Sequence, residues 1–169
     1  MHQVSRLFAT ALAVVALAYM SGVVSAQAPV RQVKLSEQKI ESFIAAYKDM
    51  ADAFDKMATE KSEATVQTQL DGIAKKFGFK DHGEYDEVAT NIAMVMYGID
   101  PQTKAFTDPP TLAKKELEDA TADKTLPEKD KKQLLEELTE QLKSVQPIAH
   151  PENVELVKKY YDKLEPLLQ

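Results

Sequence analysis

The chain has 169 residues, with 21 Lys and Arg against 27 Asp and Glu, a net charge of −6 at pH 7 and no cysteine. Without cysteine there is no disulfide framework, thiolate zinc site, haem-attachment motif, thiol catalysis or acylated lipoprotein cysteine. The length is that of one domain, and the acidic balance repels a phosphate backbone, which argues against nucleic acid as a partner.

The first 26 residues read as a signal peptide. Arg6 and the terminal amine form a short basic region, Leu7 to Met20 is apolar except for Thr10, and Val24, Ser25 and Ala26 give the small-residue pattern of a cleavage site. Cleavage is expected between Ala26 and Gln27, because cutting after Ala28 would place Pro29 behind the scissile bond. An uncleaved anchor is the competing reading, since Leu7 to Val24 approaches the roughly 20 residues that span a bilayer. Ser21, Gly22 and Ser25 interrupt the end of that run and favour cleavage. The expected location is periplasmic or secreted, with no stable membrane insertion after processing.

Residues 27–35 show no sustained periodicity and read as a flexible lead-in to a helical domain over 36–169. Ile40, Phe43, Ile44, Tyr47, Met50, Phe54 and Met57 recur at three-and-four spacing behind Ser36, which predicts a first helix over 36–60. Val66, Leu70, Ile73, Ala74 and Phe77 continue the period from about residue 63. Gly78 supplies a left-handed cap and Phe79 the apolar contact after it. Asp81 and Glu84 form a capping pattern for a third helix over 82–97, with Gly98 at its end. Residues 98–108 are the longest irregular connection, and Asp108 before Pro109 opens a fourth helix over 109–122. Thr125 and Glu128 suggest another capping box, and Leu134, Leu135, Leu138, Leu142 and Val145 give the fifth helix a leucine stripe that stops at Pro147. His150 and Pro151 open a last helix carrying Val154, Val157, Tyr161, Leu164 and Leu168, with Pro166 expected to end its regular part.

Strand patterns are nearly absent, so the expected fold is all-α, a single bundle of five to six amphipathic helices. Apart from Tyr160 and Tyr161, the aromatic residues after the leader lie between Phe43 and Phe106, which centres the expected core on the first three helices. The fourth and fifth helices would pack on it as a hairpin, and the sixth would return its tyrosines to it. A looser alternative divides the chain near 100–108.

Chemistry is sparsely marked. Asp81, His82 and Asp86 are the best candidate metal ligands, because His82 and Asp86 stand one helical turn apart and Asp81 or a distant residue would complete the shell. The structural reading of these residues is an acidic helix start that favours the dipole, with His82 in solvent. Met94 and Met96, two apart, do not share a helix face and cannot chelate one ion together, so they read as packing residues. His150 is a linker residue. Neither a nucleophile elbow nor a Gly-rich phosphate loop occurs, no catalytic residue stands out and no cofactor is implied.

Ser-Glu-Gln-Lys-Ile-Glu-Ser-Phe-Ile-Ala-Ala-Tyr from Ser36 and Ile-Ala-Lys-Lys-Phe-Gly-Phe-Lys-Asp-His-Gly-Glu-Tyr from Ile73 resemble pieces of small, secreted, all-helical bacterial families of unknown function. The resemblance covers under half the chain and its motifs are structural. Leu35-Ser36-Glu37-Gln38 and Leu138-Thr139-Glu140-Gln141 are also similar to the Leu-Thr-x-x-Gln motif of the Spy-like periplasmic chaperones, with Gln one residue early. That resemblance implies a helical chaperone. The expected function is an exported, non-enzymatic binding or chaperone-like protein, monomeric or homodimeric, whose partner is unfolded or partner polypeptide. Divalent-metal binding and an unrecognised hydrolase are the alternatives.

Overall fold

The structure, a computed structural model, describes residues 30–57 and 63–168. The leader, its cleavage position, the start of the lead-in and residues 58–60 of the first predicted helix lie outside them. Among the described residues there are six helices: α1 (Glu37–Met57), α2 (Glu63–Lys76), α3 (His82–Tyr97), α4 (Pro109–Ala122), α5 (Glu128–Ser144) and α6 (Glu152–Leu168). The all-α bundle expected from the periodicity is what forms.

Four helices make the core. α1 packs on α2, α3 and α6, and α3 also packs on α2 and α6. α1 contributes Ile40, Phe43, Ala46 and Met50, and α3 contributes Tyr85, Val88, Ile92 and Val95. The aromatic centre is where expected: Phe43 stacks on Tyr85 at 5.4 Å between centroids, and Phe79 meets the edge of Tyr85 at 5.4 Å. Each large apolar side chain buried in this way stabilises the fold by about 1.5–3 kcal/mol. α6 is a full core partner through Val154, Val157, Tyr160, Tyr161 and Leu164. Because α6 returns to α1 and α3 after the α4–α5 hairpin, the chain does not divide at 100–108.

The turn after α2 follows the sequence reading closely. Gly78 has φ +85°, the Phe79 amide donates to Ala74 O at 3.0 Å, the Gly78 amide donates to Lys75 O at 3.1 Å, and Phe79 is buried. Gly98 differs, with right-handed φ −81°. Glycine is needed there for space, because a Cβ would collide with the Thr107 carbonyl and the Phe106 ring. That close approach closes the 98–108 connection through a bridge between Ile99 and Phe106, and Lys104 lies over the Tyr161 ring at 3.4 Å.

Three local expectations are corrected. Thr125 does not cap α5, because Asp123 Oδ1 accepts both its amide and its hydroxyl at 2.6 Å, leaving Pro127 at the N-cap. Pro166 does not end α6, which continues to Leu168. Lying in the last turn, the proline sacrifices only a terminal hydrogen bond. The lead-in is not a flexible tail from Arg31 onward. Asn91 on α3 accepts the Val33 amide at 3.0 Å and donates to Arg31 O at 3.0 Å, while Asn153 on α6 accepts the Leu35 amide at 2.9 Å and donates to Val33 O at 2.9 Å. Leu35 is buried at the end of this strap.

Asn153→Ala removes the partner of the buried Leu35 amide and of the half-buried Val33 carbonyl and is expected to destabilise the protein by about 2–4 kcal/mol in urea unfolding. Lys34→Ala, which loses only the exposed pair with Glu152, is expected to change stability by less than about 0.5 kcal/mol.

Candidate functional site

At the start of α3 the structure sets His82 beside Asp86 and uses Asp81 as the helix cap. Asp81 is the N-cap, with Oδ1 accepting the Glu84 amide at 2.9 Å. Glu84 Oε2 accepts the Lys80 amide at 2.6 Å, and its Oε1 pairs with Lys39 of α1 at 2.9 Å. The capping box read from the sequence forms, with its return bond taken one residue before the cap.

His82 is not in solvent, since only 12% of its side chain is exposed. Its amide donates to Asp71 of α2 at 2.9 Å, and its ring lies nearly parallel to Tyr85 at 6.2 Å and beside Phe54 at 5.8 Å. Phe54 is itself 47% exposed, so the aromatic column opens to the surface there. His82 Nε2 stands 3.3 Å from Asp86 Oδ1 without the alignment of a hydrogen bond. Neighbouring protein atoms displace water from the Asp86 carboxyl and push its pKa up, and His82 pulls it down. With 55% of the Asp86 side chain still open, solvent screens the contact.

Among the described residues no three or more His, Asp or Glu side chains gather to hold a metal. Of the expected set Asp81, His82 and Asp86, the structure brings His82 and Asp86 together, and Asp81 Oδ1 is engaged by the Glu84 amide. His82→Ala with Asp86→Ala is therefore expected to leave zinc affinity unchanged by calorimetric titration, and a tenfold loss would reinstate the site.

The same cluster sets an acid response. The His82 amide holds the Asp71 pKa below its ordinary value, and the Lys80 amide followed by Lys39 does the same for Glu84. Depressed folded values mean stabilisation that is complete above the ordinary carboxylate pKa of about 4 and is lost as pH falls through the folded values. Glu84→Gln is expected to flatten the fall in melting temperature between neutral pH and pH ~3, measured by circular dichroism.

The second candidate region is the α4–α5 hairpin. Ala113 and Ala120, two turns apart on α4, are buried and let α5 approach closely. Lys131 Nζ on α5 donates to Thr121 O at 2.7 Å and Asp123 O at 2.6 Å, satisfying carbonyls at the end of α4. Asp108 accepts the Ile148 amide at 3.2 Å, and Gln32 donates to Pro147 O at 2.8 Å and accepts the Ala149 amide at 2.7 Å. Both roots of the hairpin are thereby tied to each other and to the strap.

The two helices of the hairpin differ in how they meet the core. α4 packs on α3 and α5, whereas α5 packs on α4 alone among the helices. A polar tie joins it to α3: Tyr97 OH donates to Glu116 Oε2 at 2.7 Å and accepts from Gln141 Nε2 at 3.4 Å. Burial, then the bond to Glu116, pushes the Tyr97 pKa well above that of a free tyrosine and keeps the donor protonated. α5 has no buried residue, and Leu134, Leu135, Leu138 and Leu142 are all half-buried.

Sequence reasoning placed the hairpin but missed its fastenings. Nothing in the local sequence marks Glu116, Gln141 or Gln32 as fastenings, and only the rarity of Asn on the apolar faces of α3 and α6 marks Asn91 and Asn153. Met50 is buried, Met94 and Met96 are half-buried, and His150 is half-buried at the entrance to α6. Among the described residues no helix is long and apolar enough to cross a membrane. Comparison with protein-family models, with characterised proteins and with solved structures finds no match to this chain.

Proposed function

We propose that the chain is an exported, non-catalytic protein that binds unfolded or partner polypeptide in a chaperone-like manner, with the α4–α5 hairpin as its contact arm. The observation that carries this reading is α5: a helix of 17 residues with a leucine stripe and no buried residue, packed on one neighbour. A helix used only to complete a core would cover its apolar stripe, whereas half-covered leucines on a helix packed against one neighbour are available to an incoming chain. The surrounding acidic and basic side chains keep such a surface soluble.

Export is supported by the residues of the leader, and the non-catalytic reading by the lack of a nucleophile elbow or phosphate loop. The expected result is suppression of aggregation of a chemically unfolded client by the leaderless protein at near-equal stoichiometry, read by light scattering. No suppression at several-fold excess would remove the proposal.

A further inference from the structure

The strap has two edges, and the fold uses one of them. Arg31 O and Val33 N turn to Asn91, and Val33 O and Leu35 N to Asn153, all at 2.9–3.0 Å. Each side-chain amide gives one donor and one acceptor, as a residue of a neighbouring strand would. In an extended chain the peptide groups of alternate residues face opposite ways, so those of Gln32 and Lys34 face away from the asparagines. Among the described residues, the N–H and C=O groups of Gln32 and Lys34 have no hydrogen-bond partner, and it is the Gln32 side chain that reaches Pro147 and Ala149. Buried peptide groups are almost always paired, which places this second edge in water.

The free edge is held in shape before any partner arrives. Val33 is bonded through both its amide and its carbonyl, Leu35 is buried beyond it, and the Gln32 side chain is fixed on the segment between α5 and α6. A ligand therefore meets an extended strand that needs no further ordering. At Lys34 an open groove adjoins the strap, lined by Leu35 and Ser36 and by Glu152, Leu156 and Lys159 of α6. The charges of the strap are already answered, Arg31 by Glu87 at 2.8 Å and Lys34 by Glu152 at 3.1 Å. What the edge leaves open is an order of backbone donors and acceptors that repeats every two residues, or about 7 Å. An extended polypeptide repeats the complementary order at that spacing. A phosphate backbone offers acceptors alone, and a helix has already spent its peptide groups on itself.

We propose that the outer edge of the strap, through the peptide groups of Gln32 and Lys34, accepts an extended segment of another polypeptide by β-strand addition. Two residues of edge make few bonds, so the contact is weak, and its shortness and the flanking charges of Arg31 and Lys34 oppose the piling of further strands. The site is separate from the leucines of α5 and stands whether or not the hairpin binds a client.

The test titrates the chain without its leader into a fluorescein-labelled peptide of about ten residues, Val and Thr alternating between terminal lysines, read by anisotropy. A dissociation constant of about 0.1–1 mM is expected. Lys34→Pro removes an outward donor that the fold does not use, and is expected to weaken binding at least about tenfold while the urea midpoint stays near that of the wild type. Lys34→Ala keeps the amide and is expected to bind within about twofold of the wild type. The same peptide N-methylated at its central amides on both edges is expected to lose binding to the unaltered protein, an outcome that no folding defect can imitate. In hydrogen exchange, the strap amides that gain protection are expected to be those of Gln32 and Lys34. Equal binding by Lys34→Pro, equal binding of the methylated peptide, protection confined to other segments, or no binding at about 1 mM would each overturn the proposal.

Discussion

Two buried side-chain amides hold the start of the described chain to its end. Asn91 and Asn153 are the buried polar residues of the described structure, and each exchanges two hydrogen bonds with the extended backbone of residues 31–35. A buried amide without partners would cost several kcal/mol, so α3 and α6 accept these groups only with the strap in place. The strap in turn carries Gln32, which grips the segment between α5 and α6. Position of the α4–α5 hairpin, entry of α6 and course of the N-terminal segment thus depend on the same pair of asparagines.

The division of labour follows from that arrangement. α1, α2, α3 and α6 bury the aromatic and branched side chains, while α4 and α5 are joined to them by short polar fastenings and a few small residues. Apolar contact is broad and non-directional, whereas the Tyr97, Glu116 and Gln141 tie is narrow and directional. A bundle built in this way has one part held by broad apolar burial and another held by fewer, directional bonds.

Much of the fold was legible because it depends on period and caps. The apolar repeat of α1, the left-handed Gly78 with Phe79 behind it and the Asp81 cap are local signals, and local physics decides them. Errors arose where a distant residue or a closer rival intervened. Asp123 took Thr125 from its expected cap, Phe106 and Thr107 explain Gly98 by crowding, and the strap was unreadable because its partners lie 58 and 118 residues away. The candidate site was less legible than the fold. Spacing correctly placed His82 beside Asp86, but it carried no information on the cap that occupies Asp81 or on the aromatic rings that enclose His82.

The strap is recognised through its peptide groups, and this shapes how the segment can change over evolutionary time. The two asparagines bond to main-chain atoms that every residue but proline provides in full, while Arg31 and Lys34 direct their charges to exposed carboxylates. Replacement of those two side chains leaves the clamp untouched, but proline at Val33 or Leu35 would delete a donor that a buried amide requires. The path of this stretch is thus set by the receiving asparagines, by Gln32 and by the single buried leucine, and the outward side chains contribute nothing to it.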